Sequence, residues 1–179
     1  MLSGIVIISS SFVRDPFPSR MAIRALAGLV PAAVNGVMGD LAIAAPEGIV
    51  ELPALADQAG CSLIEAPDTG AALLRALAQA RYDIILVSTL DVAMPPGFYL
   101  ELESLRRAGV HTMIMRREAS GIVSRLLPVL SPPAMLVAPR TVLLEHVRPA
   151  DTTPGIPALA RRLKGARPLK AEAIALLPE

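Results

Sequence analysis

Six short, almost continuous apolar runs alternate with helix-forming segments along this chain of 179 residues. Such runs are typical of strands buried on both faces of a mainly parallel sheet, because helices cover both sides of that kind of sheet. The predicted strands are residues 5–9, 41–44, 62–65, 84–87, 111–115 and 135–137. The predicted helices are residues 19–30, 52–59, 71–81 and 97–108. The alternation predicts a three-layer α/β sandwich with a mainly parallel sheet.

The length fits one domain with a sizeable core, since a chain of this size buries roughly 70% of its unfolded surface. We therefore predict a single domain over residues 1–179. Pro168 and Pro178 interrupt the last segment, and proline disfavours regular structure. Residues 164–179 are accordingly expected to form a loosely packed tail.

The composition is apolar for a free monomer, with 53% hydrophobic residues, 18% charged residues and a mean hydropathy of +0.54. A protein partner or a homo-oligomer that covers an apolar surface is the natural explanation. The richest apolar stretch, residues 126–139, contains four prolines and one serine, so we expect no transmembrane segment and at most a peripheral membrane contact. A net charge of +1 argues against a nucleic-acid partner.

The first residues bear on the location of the protein, and its cysteine and histidines bear on the disulfides and metal sites that it can form. No basic segment precedes the apolar start of the chain, so no signal peptide is predicted and the cytoplasm is the expected location. The single cysteine, Cys61, excludes an intrachain disulfide and is expected to pack as a small apolar residue. His111 and His146 do not form a helical metal-ligand pair.

Residues 82–98 join a predicted buried strand to a turn that contains an acidic residue. The apolar run at 84–87 leads to Thr89 and Asp91, and a Pro-Pro-Gly turn follows at 95–97. This segment resembles the metal-binding strand of bacterial family-2 glycosyltransferases, in which an acidic turn and a Pro-Pro-Gly precede a helix. The resemblance implies a glycosyltransferase A-type fold, similar to the nucleotide-diphospho-sugar transferases. It places Thr89 at the first metal position and leaves Asp91 as the only acidic residue there.

Two other stretches carry the same resemblance. Residues 29–45 resemble the first helix end and second strand of that family, and residues 55–67 resemble its next helix, glycine stop and third strand. The family's donor-binding aspartates have no counterpart in residues 45–50, and residues 68–71 replace its basic, glycine-rich loop. The family's catalytic base precedes its last helix, where residues 154–157 carry no carboxylate. The resemblance implies a divergent relative, and no catalytic residue is predicted.

The loop after the first predicted strand is a candidate for phosphate or cofactor binding. Ser9, Ser10 and Arg14 supply hydroxyl and guanidinium groups near the start of the next helix, where anions are favoured. Residues 19–21 resemble an element of the nucleotidyltransferases that load guanylate onto molybdopterin. Those enzymes use a glycine-rich loop, and no glycine lies between residues 5 and 27. The alternative is that the serine of segment 19–21 caps the helix.

Asp91 is the candidate metal ligand, because an aspartate after a buried strand can bind Mg²⁺ or Mn²⁺ through oxygen. One carboxylate rarely suffices, so Glu47 or Asp68 would have to approach and assist. In the active alternative, Glu47 lies near the donor. The alternative is that Asp91 caps its loop and the helix beyond it.

These observations predict a family-2 glycosyltransferase-like protein that acts without catalysis, as a subunit or a protein-binding module, and that needs no cofactor. The first alternative is an active glycosyltransferase that uses a nucleotide sugar with Mg²⁺ or Mn²⁺. The second is a nucleotidyltransferase of the molybdopterin-guanylate type.

Overall fold

Eight strands form one sheet among the residues that the computed structural model describes, namely 1–8, 18–118, 131–148, 155–163 and 165–176. The strands are β1 (Leu2–Ile7), β2 (Met38–Pro46), β3 (Ser62–Ala66), β4 (Ile84–Thr89), β5 (Val92–Ala93), β6 (Met113–Arg117), β7 (Pro133–Pro139) and β8 (Arg167–Ala175). Their order across the sheet is β3-β2-β1-β4-β7-β6-β8-β5. All six predicted strands are present, and β5 and β8 were not predicted.

The sheet is mixed, which corrects the prediction of a mainly parallel sheet. β1 pairs in parallel with β2 and β4, and β2 pairs in parallel with β3. β7 runs antiparallel to both of its neighbours, β4 and β6, and β5 runs antiparallel to β8. A buried apolar run has the same composition in either direction, so the pattern that predicts burial does not determine the direction of a strand.

Helices cover both faces of this sheet and give the three predicted layers. The helices are α1 (Pro18–Ala27), α2 (Val30–Val34), α3 (Leu52–Ala59), α4 (Thr69–Gln79), α5 (Phe98–Arg107), α6 (Arg140–His146) and α7 (Ile156–Arg162). Leu2 and Val6 of β1 pack in one core with α1, α2, α3 and α5. Ile5 and Ile7 pack in the other core with α4, α6 and α7. The alternation of side chains along β1 thus serves two cores at once.

None of the helices in the described ranges is long and apolar enough to cross a membrane. The longest of them, α4, has 11 residues. A spanning helix needs about 20.

The predicted helix at 19–30 is two helices, because the chain turns at Gly28 and Leu29 and restarts with Pro31 in the first turn of α2. Proline is favoured there, since the first amides of a helix have no partner within it. A Cβ atom on Gly28 would lie 2.8 Å from the backbone nitrogen of Met94. The missing side chain therefore lets the end of α1 approach the chain just after β5.

Strand β8 lies within the segment that was expected to be a loose tail. Its Leu169 and Ala173 are buried in the core that contains α5. A bulge in the pairing of β6 with β8 frees two consecutive amides, those of Lys170 and Ala171. The carboxylate of Glu101 on α5 accepts both of these amides, at 2.7 Å and 3.0 Å. This part of the segment is thus anchored by pairing, burial and hydrogen bonds.

Candidate functional site

The carboxyl ends of β2, β1 and β4 define the edge of the sheet where α/β proteins commonly bind ligands. Ile7 of β1 pairs with Ala44 of β2 and with Thr89 of β4. Asp91 follows Thr89 by two residues, and Glu47 follows Ala44 by three. Both predicted site residues therefore lie at this edge, with β1 between their strands, so about 10 Å separates those strands.

Asp91 is buried and bound by hydrogen-bond donors on both carboxylate oxygens. The hydroxyl of Thr89 donates to Oδ1. The guanidinium of Arg117 donates from Nη2 to Oδ2 at 2.6 Å. The side chain of Asp91 is 7% exposed and that of Arg117 is 31% exposed. A charge-assisted hydrogen bond of this length is a strong one, and it neutralises the carboxylate with a cation from the chain itself.

The pair lies where three strands converge. Arg117 ends β6, which pairs with β8. The backbone oxygen of Asp91 accepts the amide of Leu176, which follows β8, at 2.9 Å. Val92 and Ala93, directly after Asp91, form β5 and pair with the end of β8. Asp91 therefore connects the end of β4 to strands β6 and β8 by hydrogen bonds.

The alternative role foreseen for Asp91, capping the helix beyond it, is wrong for that helix. The N-cap residue of α5 is Gly97, and no side chain caps it.

The residues around Asp91 do not fit a Mg²⁺ or Mn²⁺ site. Such ions take carboxylate, carbonyl and water oxygens, and both oxygens of Asp91 already accept a hydrogen from a protein donor. The guanidinium of Arg117 adds a positive charge that repels a second cation. Among the described residues, no three His, Cys, Asp or Glu side chains group in a way that could hold a metal ion. The assignment of Asp91 as a metal ligand stays a prediction.

Glu47 is exposed at the end of β2, and its backbone amide donates to the carbonyl of Ala66 at 2.9 Å. Its role near a sugar-nucleotide donor stays a prediction. The other predicted cofactor-binding residues, Ser9, Ser10 and Arg14, lie outside the described residues, as does the side chain of Ser19.

The segment that replaces the basic, glycine-rich loop forms the start of α4. Asp68 is the N-cap residue of α4, and its Oδ1 accepts the amide of Ala71 at 2.8 Å. An N-cap aspartate stabilises a helix because it satisfies a free amide and faces the positive end of the helix dipole. The same carboxylate disfavours a phosphate at that helix end, since both are anions.

The position of the expected catalytic base is the start of α7. Gly155 is the N-cap residue, and Ile156 and Pro157 open the helix. None of these three side chains can take a proton from an acceptor hydroxyl. The absence of a general base from this chain stays a prediction.

Arg117 is the member of the site that the sequence alone did not reveal. A signal was present, because two arginines at 116 and 117 end the apolar run of β6. A cation that closes a buried strand needs an anionic partner, and Asp91 is the buried carboxylate at this edge.

Cys61 packs as predicted and is half-buried after α3. Its Sγ donates to the carbonyl of Ala56 at 3.6 Å. Burial raises the pKa of the Cys61 thiol, because the charged thiolate loses more solvation than the neutral thiol. This shift opposes a role as a nucleophile, for which thiolates need a lowered pKa.

No protein-family model matches the sequence. No curated protein matches it significantly.

Solved structures with this fold are found at low sequence identity. Glucosyl-3-phosphoglycerate synthase from Mycobacterium tuberculosis, in complex with Mn²⁺, uridine diphosphate and glucosyl-3-phosphoglycerate, is 17% identical with a TM-score of 0.58, and the match covers 79% of this chain and 58% of that one. A mycobacterial protein is 20% identical with a TM-score of 0.57, over 79% and 54% of the two chains. HddC from Yersinia pseudotuberculosis is 11% identical with a TM-score of 0.64, over 98% and 93%.

The chain thus spans 54% to 58% of the length of the two mycobacterial proteins. At these identities the likeness concerns the fold alone. The resemblance to family-2 glycosyltransferases, which the sequence motifs predicted, is confirmed at that level.

Proposed function

We propose that this chain is a glycosyltransferase-like protein that does not transfer sugar, and that it acts as a non-catalytic subunit or a protein-binding module. The observation that carries the proposal is the pairing of Asp91 with Arg117 at 2.6 Å. Transfer with inversion needs a base to deprotonate the acceptor and a cation to neutralise the leaving diphosphate. In this chain Asp91 is the one carboxylate at the predicted metal position, and the guanidinium of Arg117 already neutralises it.

The active alternative assigns Asp91 to a metal and Glu47 to the donor. It is supported by their placement at one edge of the sheet and by the Mn²⁺ and uridine diphosphate found with the mycobacterial synthase. It requires Asp91 to break its hydrogen bonds with Arg117 and Thr89. The partly buried guanidinium of Arg117 would then lose its anionic partner. We therefore favour the non-catalytic reading.

Thermal unfolding of the full chain with UDP-, GDP- and dTDP-sugars, each with and without Mn²⁺, tests the proposal. A ligand at 100 times its dissociation constant stabilises by about 2.7 kcal/mol, which raises Tm by about 5–10 °C in a domain of this size. We expect no metal-dependent shift with any donor. An active glycosyltransferase measured on the same plate is the positive control.

The variant Asp91→Asn makes the test specific. A Mn²⁺-dependent rise in Tm that is present in the native chain and lost in Asp91→Asn would overturn the proposal in favour of the active alternative. Turnover of any of these donors would do the same.

A further inference from the structure

The candidate site contains a cation that the chain itself supplies. Strand β7 lies between β4 and β6 in the sheet, so the ion pair of Asp91 with Arg117 spans the start of β7. Nη2 of Arg117 donates to Oδ2 of Asp91 at 2.6 Å. The sequence predicts a divalent cation on this same carboxylate. The structure therefore has a guanidinium beside the group that a metal ion would need.

Arg117 has hydrogen-bond donors left for a ligand. A guanidinium carries N–H groups on Nε, Nη1 and Nη2, and the bond to Asp91 uses Nη2. No hydrogen bond from Nε or Nη1 is found within the part of the chain that the structure describes. The side chain is 31% exposed, and it ends a strand at the edge of the sheet where α/β proteins commonly bind ligands.

The charges of this ion pair balance as they do in a metal site. A divalent cation held by two carboxylates is neutral overall, and it still binds the oxygens of a phosphate directly. The pair of Arg117 and Asp91 is neutral too, while Nε and Nη1 keep their N–H groups. Arg116 and Glu118 flank Arg117 in the sequence and carry opposite charges, so they add no net charge to this strand end.

The donors of Arg117 determine the class of ligand that fits. A guanidinium has no acceptor, so a ligand must bring acceptor oxygens. The planar N–H groups match the oxygens of a phosphate, which arginine often binds through two parallel hydrogen bonds. A diphosphate carries more negative charge than a carboxylate and is attracted more strongly to the guanidinium. Among small anions, a diphosphate therefore suits this side chain best.

From this geometry we infer that Arg117 replaces a divalent cation, and that the site binds the diphosphate group of a small molecule without any metal ion. Asp91 holds the guanidinium in place, and Nε and Nη1 donate to the oxygens of the ligand. The inference rests on the proposed function, since it takes Asp91 as the partner of Arg117 and not as a metal ligand. It adds to that proposal a class of ligand that a non-catalytic module can bind.

Calorimetric titration of the full chain with inorganic pyrophosphate and with UDP, first in EDTA and then in Mn²⁺, tests the inference. We expect both compounds to bind in EDTA, and to bind no more tightly in Mn²⁺. Sulfate at matched ionic strength is the control for unspecific anion binding, and it should bind more weakly than either. Equal affinities would assign the site to the diphosphate itself, whereas tighter binding of UDP would assign it to a nucleotide.

Variants of the ion pair locate the binding. Asp91→Asn should bind pyrophosphate more tightly than the native chain, because a carboxylate that repels the anion is lost. In the double variant Asp91→Asn with Arg117→Gln, the dissociation constant should rise about tenfold or more, since the charge-assisted hydrogen bonds are lost. Arg140→Gln is the matched control and should bind like the native chain. Arg140 also pairs with an aspartate and is 33% exposed, but it follows β7 at the opposite edge of the sheet.

Circular dichroism confirms that each variant is folded before the titration. If the double variant does not fold, Arg117→Lys decides, because lysine keeps a charge for Asp91 but lacks the planar fork and should weaken the binding of pyrophosphate. No binding of pyrophosphate or UDP in either buffer would refute the inference and leave the proposed function intact. Binding in EDTA that survives the loss of Arg117, or that Asp91→Asn abolishes, would refute it too. Binding only in Mn²⁺ that is lost in Asp91→Asn would overturn the proposed function as well.

Discussion

At the residue scale, the hydrogen bonds of Asp91 indicate whether its carboxylate has a structural or a catalytic role. A metal-binding aspartate must offer oxygen lone pairs to an ion, whereas Asp91 gives them to Thr89 and Arg117. The side chain of Asp91 is only 7% exposed, so its charge would be costly without a hydrogen-bonded partner. Its backbone oxygen also binds the residue after β8. The residue thus has a structural role that does not depend on any ligand.

We predict that Asp91→Asn lowers the free energy of unfolding by about 1–3 kcal/mol, less than for a fully buried pair because Arg117 is partly exposed. Urea denaturation at neutral pH measures the change. Asp83→Asn is the matched control, since Asp83 also pairs with an arginine, Arg140 at 3.0 Å, but is 87% exposed and should matter little. Equal effects of the two substitutions would show that the Asp91 pair is no more than a surface contact.

Cys61 provides a pH-dependent prediction. Its thiol pKa is raised by burial, so the folded chain holds less thiolate than the unfolded chain at the same pH. We expect the alkylation rate of the folded protein to rise at a higher pH than that of the chain in urea. By linkage, the thiol's contribution to stability is full below its unfolded pKa and is lost as the pH rises through its folded pKa. Identical pH profiles in the two states would contradict this.

At the scale of elements, two glycines allow neighbouring segments to approach closely. A Cβ on Gly28 would lie 2.8 Å from the backbone nitrogen of Met94, which cannot move without displacing the chain at β5. A Cβ on Gly39 would lie 2.4 Å from the ring of Tyr82, a side chain that can turn away. Gly39 has the shorter contact, but its neighbour is a side chain, whereas the neighbour of Gly28 is backbone.

We therefore predict that Gly28→Ala destabilises the protein by about 1–3 kcal/mol, despite the gain of about 0.4–1 kcal/mol that alanine brings by restricting the unfolded chain. Gly39→Ala should cost clearly less, because the ring of Tyr82 can rotate. Thermal or urea unfolding of both variants measures the difference. A greater loss for Gly39→Ala would contradict the argument from backbone rigidity.

The elements also show where sequence patterns carry enough information. Strands β3 and β4 and helices α3 to α5 were predicted closely, because each is a local apolar pattern with a turn residue after it. Strands β1 and β2 were located, but both begin three residues earlier than predicted. Strand β8 was missed because Leu169 and Ala173 alternate with arginine, proline, lysine and glutamate. The direction of β7 was not predictable, since it depends on the path of the chain. Asp91 was found from its place after β4, but its partner Arg117 is 26 residues away, and only the fold joins them.

At the scale of the whole molecule, the sheet links two cores that share every central strand. Side chains of β1, β2, β4 and β7 alternate between these cores, so neither core can form without the other. Strand β8 joins this arrangement through β6 and β5 and adds Leu169, Ala173 and Leu176 to one core. The prediction of a single domain implies that the chain unfolds in one cooperative transition.

Removal of residues 164–179 distinguishes an integral last segment from a loose tail. The truncated chain loses two buried leucines, and each buried leucine contributes about 2–5 kcal/mol, against a total stability of about 5–15 kcal/mol for most domains. It also leaves Glu101 without the amides of Lys170 and Ala171, and β6 without its parallel neighbour. We expect the truncated chain to lose its cooperative calorimetric transition.

A chain that ends at Leu176 keeps all of β8 and is the control, with a transition close to that of the native protein. Should the shorter chain melt like the native one, β8 would contribute nothing to the core, and the segment would be a dispensable tail after all. Two separate transitions in the full chain would instead show that the halves of the sheet fold independently. One transition in the full chain and none after removal of β8 would mean that the strand missed by the sequence pattern completes the fold.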